Sequence, residues 1–333
     1  MSQYLYKYMP YRSAFFREPM IRATPYHVLN DPYECHFNDT QIKNAKICTD
    51  IFLKDNEDIL LKNGYLRSTS KEEINIEEII TEGVYSDLLE VGIISFSTNN
   101  LNNLMWSHYA DNHKGIVIEF DQNIPFFQDS LKVLNGKKSR FGEDIFGQIF
   151  EFPEKVIYKN KLPTYEDDNS ILPDSVFGYR FKNFNKSILF TKSNEWEYES
   201  EYRSVVKLRD ADRIICKDNK YIREICKEHP EINLIELKDN KIQVTYPREY
   251  EMHEEMGDES LKDEIYSASS ASFDCNTICL FRINPDCISS IYLGTRFNDR
   301  EIDYNKKILG HINIKEVFLD DNDFSFKARI FNN

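Results

Sequence analysis

The sequence is short of residues that break a chain into flexible pieces. Glycine and proline each occur only 11 times in 333 residues, so no long low-complexity linker divides it. Positive charge is in deficit: 42 Lys and Arg face 56 Asp and Glu, for a formal net charge of −14 at pH 7. An acidic body disfavours a broad surface tracking nucleic-acid phosphates, although a local basic cleft remains compatible with it. No apolar run approaches the roughly 18 residues of a membrane-spanning helix, so no membrane association is expected. The seven cysteines form no CxxC pair. With no secretory leader at the N-terminus they read as thiols of a cytoplasmic protein. Cys275, Cys279 and Cys287 cluster, but their spacing matches no zinc pattern, and Ile278 and Leu280 flank Cys279 as in a buried strand.

Aromatics are abundant. The chain has 23 Phe, 20 Tyr and 2 Trp, a composition that argues for a packed core over a disordered chain. Apolar alternation predicts strands at Tyr4–Tyr8, Met20–Ala23, Ile93–Phe96, Ile116–Phe120, Lys155–Lys159, Ser204–Leu208, Thr277–Ile283, Ile288–Leu293, Ile314–Leu319 and Phe324–Phe331. A hairpin is expected over Ile232–Tyr246 around Asp239-Asn240. Helical spacing is read at Tyr11–Phe16, Asp39–Asn63, Ser70–Val91, Leu101–Tyr109, Ser175–Phe190 and Asp299–Leu309, the Ser70 segment opening on a capping box. Tyr165–Pro173 is loop-like, and the acidic run Glu249–Glu264 reads as a solvated loop or helix. Strands and helices mix without strict alternation and no repeat is visible, which predicts an α+β fold with a single mixed, twisted sheet. The expected organisation is one domain over residues 1–333, with a helical insertion at 39–91.

The segment Ile93–Asp121 reads as strand, short helix and strand, yet it carries Ser95, Ser97, Asn99, Trp106, His108, Asp111, His113 and Glu119. So many polar groups in a stretch that should be buried point to a site. A second polar stretch follows at Lys192–Arg203. Extended backbone there would put Glu197, Glu199, Glu201 and Arg203 on one face and Trp196, Tyr198 and Tyr202 on the other. That face is either a solvated charged surface over an aromatic core or a pair of carboxylates aimed into one cleft, where they split their pKa values or stabilise a developing cation. Ser95 and Ser97 share a face of their strand and could orient such a carboxylate.

Ser-x-Ser beside Glu-x-Glu suggests ADP-ribosyl transfer, in which a Glu holds the nicotinamide ribose and stabilises an oxocarbenium-like transition state. Tyr6, Trp106 or Tyr109 could stack on nicotinamide, and Lys7 and Arg12 are the early cations available for phosphates. His108 is either an acid–base residue or a core histidine bonded to Asp111. With Asp31, Glu34 or Glu119 it could also serve a metal-dependent nuclease or hydrolase, although His108 and His113 are spaced too far apart to share a helical face. Asn30-Asp31-Pro32 is either a structural turn or part of the site. Lys192 and Trp196 either bind an anion and stack on a ring, or cap and pack.

Taken together, Leu5-Tyr6-Lys7-Tyr8, Leu29-Asn30-Asp31-Pro32-Tyr33-Glu34, Ile94-Ser95-Phe96-Ser97, Met105–Ala110, Lys114-Gly115-Ile116 and Lys192 with Trp196–Arg203 resemble a widespread bacterial domain family of unknown function. Ile291-Tyr292-Leu293-Gly294 is similar to its closing strand, so the resemblance spans nearly the whole chain. It implies a cytoplasmic protein of the kind found near mobile-element and phage-defence genes. It also implies a site made of Asn30, Asp31, Glu34, Ser97, Trp106, His108, Tyr109, Lys192, Trp196, Glu199, Glu201 and Arg203. The reading favoured is an ADP-ribosyltransferase or NAD glycohydrolase, acting as a defence or toxin effector, with NAD as substrate and no metal. Glu201 or Glu199 would carry the chemistry, with Ser97 and His108, and Arg203 would lie in the cofactor cleft. A macromolecular acceptor would be the partner of a transferase. The alternatives are the metal-dependent hydrolase and a non-catalytic nucleotide-binding sensor.

Overall fold

Period-two alternation builds most of the molecule. A computed structural model describes residues 4–44, 46–47, 76–127, 153–163, 186–248, 259–298, 302 and 312–331. Its strands are β1 (Tyr4–Met9), β2 (Met20–Pro25), β3 (Val91–Ser97), β4 (Ile116–Asp121), β5 (Glu154–Lys155), β6 (Ile157–Lys159), β7 (Thr191–Ser193), β8 (Glu201–Lys207), β9 (Arg213–Lys217), β10 (Asn233–Leu237), β11 (Lys241–Thr245), β12 (Ile278–Arg282), β13 (Ile288–Leu293), β14 (Asn313–Leu319) and β15 (Phe326–Ile330). The helices are α1 (Ser13–Arg17), α2 (Ile76–Glu90), α3 (Asn103–Tyr109), α4 (Lys220–Glu228) and α5 (Glu259–Ala268), with short helical pieces at 39–44 and 186–189.

Thirteen of these strands form one sheet in the order β10-β11-β9-β12-β2-β3-β1-β4-β13-β14-β15, with β8 added to β3 and β5 to β8. The β13–β14 pair is parallel and the other pairs of this sheet are antiparallel, so the sheet is mixed and the fold is α+β. Lys155–Lys159 is two strands, not the single one expected. Val156 donates its N–H to Glu201 O, and the chain then leaves the main sheet so that β6 pairs with β7. The Asp239-Asn240 hairpin forms as expected: Leu237 pairs with Lys241, and Asp239 and Asn240 both take positive φ in the short connection between them. Of the other expected helices, the larger parts of 39–63, 175–190 and 299–309 lie outside the described residues, as do Ser70 and its capping box.

The two faces of the sheet differ, and that difference positions the site. Leu5, Ile94, Phe96, Ile118 and Phe120 turn one way into the main core. On the opposite face two separate apolar patches form. One holds Ile93 and Val205 with Val84 and Leu88 of α2. The other holds Tyr8, Val117 and Tyr292 under Met105 and Trp106 of α3. Between the patches the same face carries polar side chains instead. Register fixes them in a row across five strands, Glu201–Ser97–Tyr6–Glu119–Ser290.

Helix α3 is short because both of its ends are specified. Asn102 caps it, its side chain accepting from Met105 N–H at 3.2 Å. It ends in three consecutive residues at positive φ, Asp111, Asn112 and His113. Gly115 follows, where a Cβ would run into the backbone of Met9 and Ala110. Asp111 and His113 therefore belong to a turn.

Candidate functional site

The strand expected through Glu195–Arg203 is a 3₁₀ helix over Asn194–Glu199 followed by β8 from Glu201. Ser200 joins the two in the left-handed conformation, φ 47° and ψ 50°. Alternation in an extended strand therefore does not explain how Glu199 and Glu201 come together. The left-handed kink turns the helical Glu199 back beside the first residue of the strand. Both carboxylates are buried, and one ammonium serves them: Lys192 Nζ lies 2.7 Å from Glu199 Oε2 and 3.3 Å from Glu201 Oε2. Glu197 stays exposed.

Each member of the cluster is held from a different element. Arg203, fully buried on β8, donates from Nε to Glu201 Oε1 at 2.8 Å, from Nη2 to Glu201 Oε2 at 3.0 Å and from Nη1 to Leu189 O at 2.6 Å. It also pairs with Glu34, whose second oxygen lies 3.7 Å from Lys192. Asp31 uses Oδ1 to accept from Tyr33 N–H at 2.9 Å, so the Asn30-Asp31-Pro32 segment is a side-chain-stabilised turn and also delivers two buried carboxylates, Asp31 and Glu34. Asp31 supports the Arg203 charge against the burial that lowers its pKa. Tyr158 on β6 accepts from Glu201 N–H at 2.8 Å. Sequence reasoning passed over Tyr158, and only its place in an alternating strand could have drawn attention to it.

The serines divide their work. The Ser95 hydroxyl bonds the Glu201 carboxyl. Ser97 donates to the backbone carbonyl of Glu199 at 2.6 Å and accepts from Asn99 N–H at 3.0 Å, so it fixes the kink and does not orient a carboxylate. Burial, which disfavours the charged form, raises the pKa of Glu201, while Lys192 and Ser95 oppose that shift. Burial likewise pushes the Cys35 thiol up to about 12, with Glu201 adding to it.

At the outer side of the cluster, Tyr109 of α3 donates to Glu199 Oε1 at 2.5 Å and accepts from Asn30 Nδ2 at 2.7 Å. Lys192 Nζ sits 4.9 Å from the centroid of the half-buried Trp196 ring, and Tyr198 lies 6.0 Å from that ring. His108 is exposed beside them, its ring 6.2 Å from that of Tyr109.

Several expected site residues stand elsewhere. Trp106 is fully buried, donates Nε1–H to Asn100 O at 2.8 Å and packs edge-on to Tyr8. It has no ring face left for a ligand and is a core residue. Lys7 points into the opposite side of the sheet, over Phe96, and bonds Ser95 O at 2.7 Å where β3 passes from β2 to β1. Burial lowers its pKa to about 8, and the nearby Glu201 opposes the shift. Arg12 is exposed ahead of α1 and lies near Arg22, outside the cluster. Tyr6 edges against Tyr292 at 6.2 Å and bonds Glu119. Glu119 forms a second polar centre with Tyr292 OH at 2.6 Å and Lys315 at 3.6 Å. Glu119, Glu34 and His108 thus have separate partners and do not converge as a ligand set. Among the described residues no group of three His, Cys, Asp or Glu takes metal-binding geometry.

Residues 105–204 match the model of a family described as a protein of unknown function (DUF2971). The chain is similar to that family over this stretch. No curated protein and no solved structure matches the chain. The DUF2971 match takes in α3 from Met105 onward, Lys192, Trp196, Glu199, Glu201 and Arg203, while Asn30, Asp31 and Glu34 lie before it. No described helix is long and apolar enough to cross a membrane.

Proposed function

We propose that this cluster cleaves the nicotinamide–ribose bond of NAD, as an ADP-ribosyltransferase or NAD glycohydrolase acting in the cytoplasm as a defence or toxin effector. The observation that carries the reading is the buried Glu199–Glu201 pair beside one ammonium and a half-buried aromatic rim of Tyr109, Trp196 and Tyr198. When the C–N bond breaks, its electron pair goes to the pyridinium nitrogen and nicotinamide leaves neutral. The positive charge passes to the ribosyl carbon and ring oxygen, where ionised carboxylates stabilise it. Water or a nucleophile of a macromolecular acceptor then attacks that carbon and loses a proton. Glu201 is the residue assigned to the cation, oriented by Ser95 and Arg203. Tyr109 and Trp196 supply ring faces.

The test is incubation of the pure protein with NAD, with and without cell lysate, reading free nicotinamide by chromatography beside Glu201→Gln. Release by the wild type alone is expected. Release that persists in Glu201→Gln refutes the assignment of Glu201, and no release by the wild type refutes the reaction. One observation favours a second reading, the non-catalytic sensor: every carboxylate oxygen of Glu199 and Glu201 is already bonded within the protein. That reading expects ligand binding with no product.

A further inference from the structure

The charges of the cluster do not balance, and its cations are already committed. Four carboxylates, Asp31, Glu34, Glu199 and Glu201, face Lys192 and Arg203 from within, and Lys7 from across the sheet. Counted as ionised groups and among the described residues, the carboxylates outnumber these cations by one. Arg203 spends its guanidinium on Glu201, Glu34 and a backbone carbonyl, and Lys192 spends its ammonium on Glu199 and Glu201. Neither is left for a phosphate. On the acceptor side the reverse holds. Asp31 and Glu34 are 5% and 6% exposed, and among the described residues Asp31 Oδ2 and Glu34 Oε2 accept no hydrogen bond. Buried carboxylate oxygens without donors are costly. They suit an occupant that brings positive charge and N–H or O–H groups.

We infer that the cluster is selective for a cationic N-riboside, holding the pyridinium–ribose end of its substrate through Asp31 and Glu34 and not its phosphates. The inference borrows the choice of ligand from the proposed NAD chemistry, but its geometry stands apart from any reaction. A vicinal diol supplies two donors, and the cationic ring can meet the face of Trp196 as Lys192 does at 4.9 Å. A phosphate brought to the same place would meet the excess carboxylate, and among the described residues of the cluster no uncommitted cation offsets it.

The experiment compares binding of nicotinamide riboside with that of its reduced, uncharged form by calorimetry, using the full chain. The two differ by a single charge and little in shape. One uncompensated charge in a buried site is worth at least about tenfold in affinity, so the oxidised form is expected to bind that much more tightly. In Asp31→Asn, which keeps the Oδ1 acceptor of its turn, the ratio is expected to fall towards one. Equal binding of the two forms by the wild type, or no binding of either, overturns the inference whether or not the variant folds. Nicotinamide release from NAD without this preference would sink the inference and leave the proposed reaction standing. The preference without any release would do the opposite.

Discussion

Replacing Arg203 by Met removes the one fully buried cation that joins the turn at Asp31–Glu34 to strand β8. The side chains are similar in length, so packing changes little and the loss is electrostatic. Glu201 loses two charge-assisted hydrogen bonds, at 2.8 and 3.0 Å, and Glu34 loses its closest cation contact, keeping only Lys192 at 3.7 Å. Removing one partner of a buried ion pair typically costs about 3–5 kcal/mol, because the carboxylates left behind are neither solvated nor paired. Against a total stability of about 5–15 kcal/mol that is a large fraction. Urea unfolding of wild type and Arg203→Met should therefore show a clear fall in midpoint. Adding Glu34→Gln should return part of the loss, since the neutral amide no longer needs the guanidinium. A coupling energy of about 1–3 kcal/mol between the two positions is expected. A loss below about 1 kcal/mol, or costs that simply add, would refute the view of this cluster as a mutually dependent buried network.

Two further tests address how the cluster is built. Ser200 sits at φ 47°, so Ser200→Gly should keep the fold and the site. Ser200→Val, β-branched in the left-handed region, should cost about 1–2 kcal/mol and lower ligand affinity with it, and equal stability of the two variants would remove the kink from the explanation. Lys7 gives a pH signature. Its folded pKa is lowered to about 8 from the ordinary 10.5, so the unfolded chain binds more protons in that interval. The Lys7 contribution to stability should therefore rise as pH goes from about 8 to 10.5, by up to ~3 kcal/mol. Stability measured against pH for wild type and Lys7→Met isolates the effect from tyrosine ionisation. Parallel curves would refute it.

Periodicity alone located most of the strands. Ile288–Leu293 has the expected bounds, and the Asp239-Asn240 turn is set by residues that tolerate positive φ. The polar excess in Ile93–Asp121 marked a region, but not which residues act. Trp106 and Tyr109 are three apart on one short helix, and nothing local says that the former faces the core and the latter Glu199. Likewise Ser95 and Ser97 share a strand face, yet their partners, a carboxyl and a backbone carbonyl, are set by where the chain across the sheet kinks.

The amino-acid order by itself determined most of the elements, the α+β class and the pool of chemistry-bearing residues, because alternation, capping and turn preference act over a few neighbours. Tertiary structure decided which of those residues meet. Glu34 reaches Lys192 and Arg203 across more than 150 positions of chain. Glu119, on the same polar row as Glu201, is held by Tyr292 and Lys315 in a centre of its own. Contacts of that range depend on sheet register and on the left-handed residue at 200, and no local pattern encodes either.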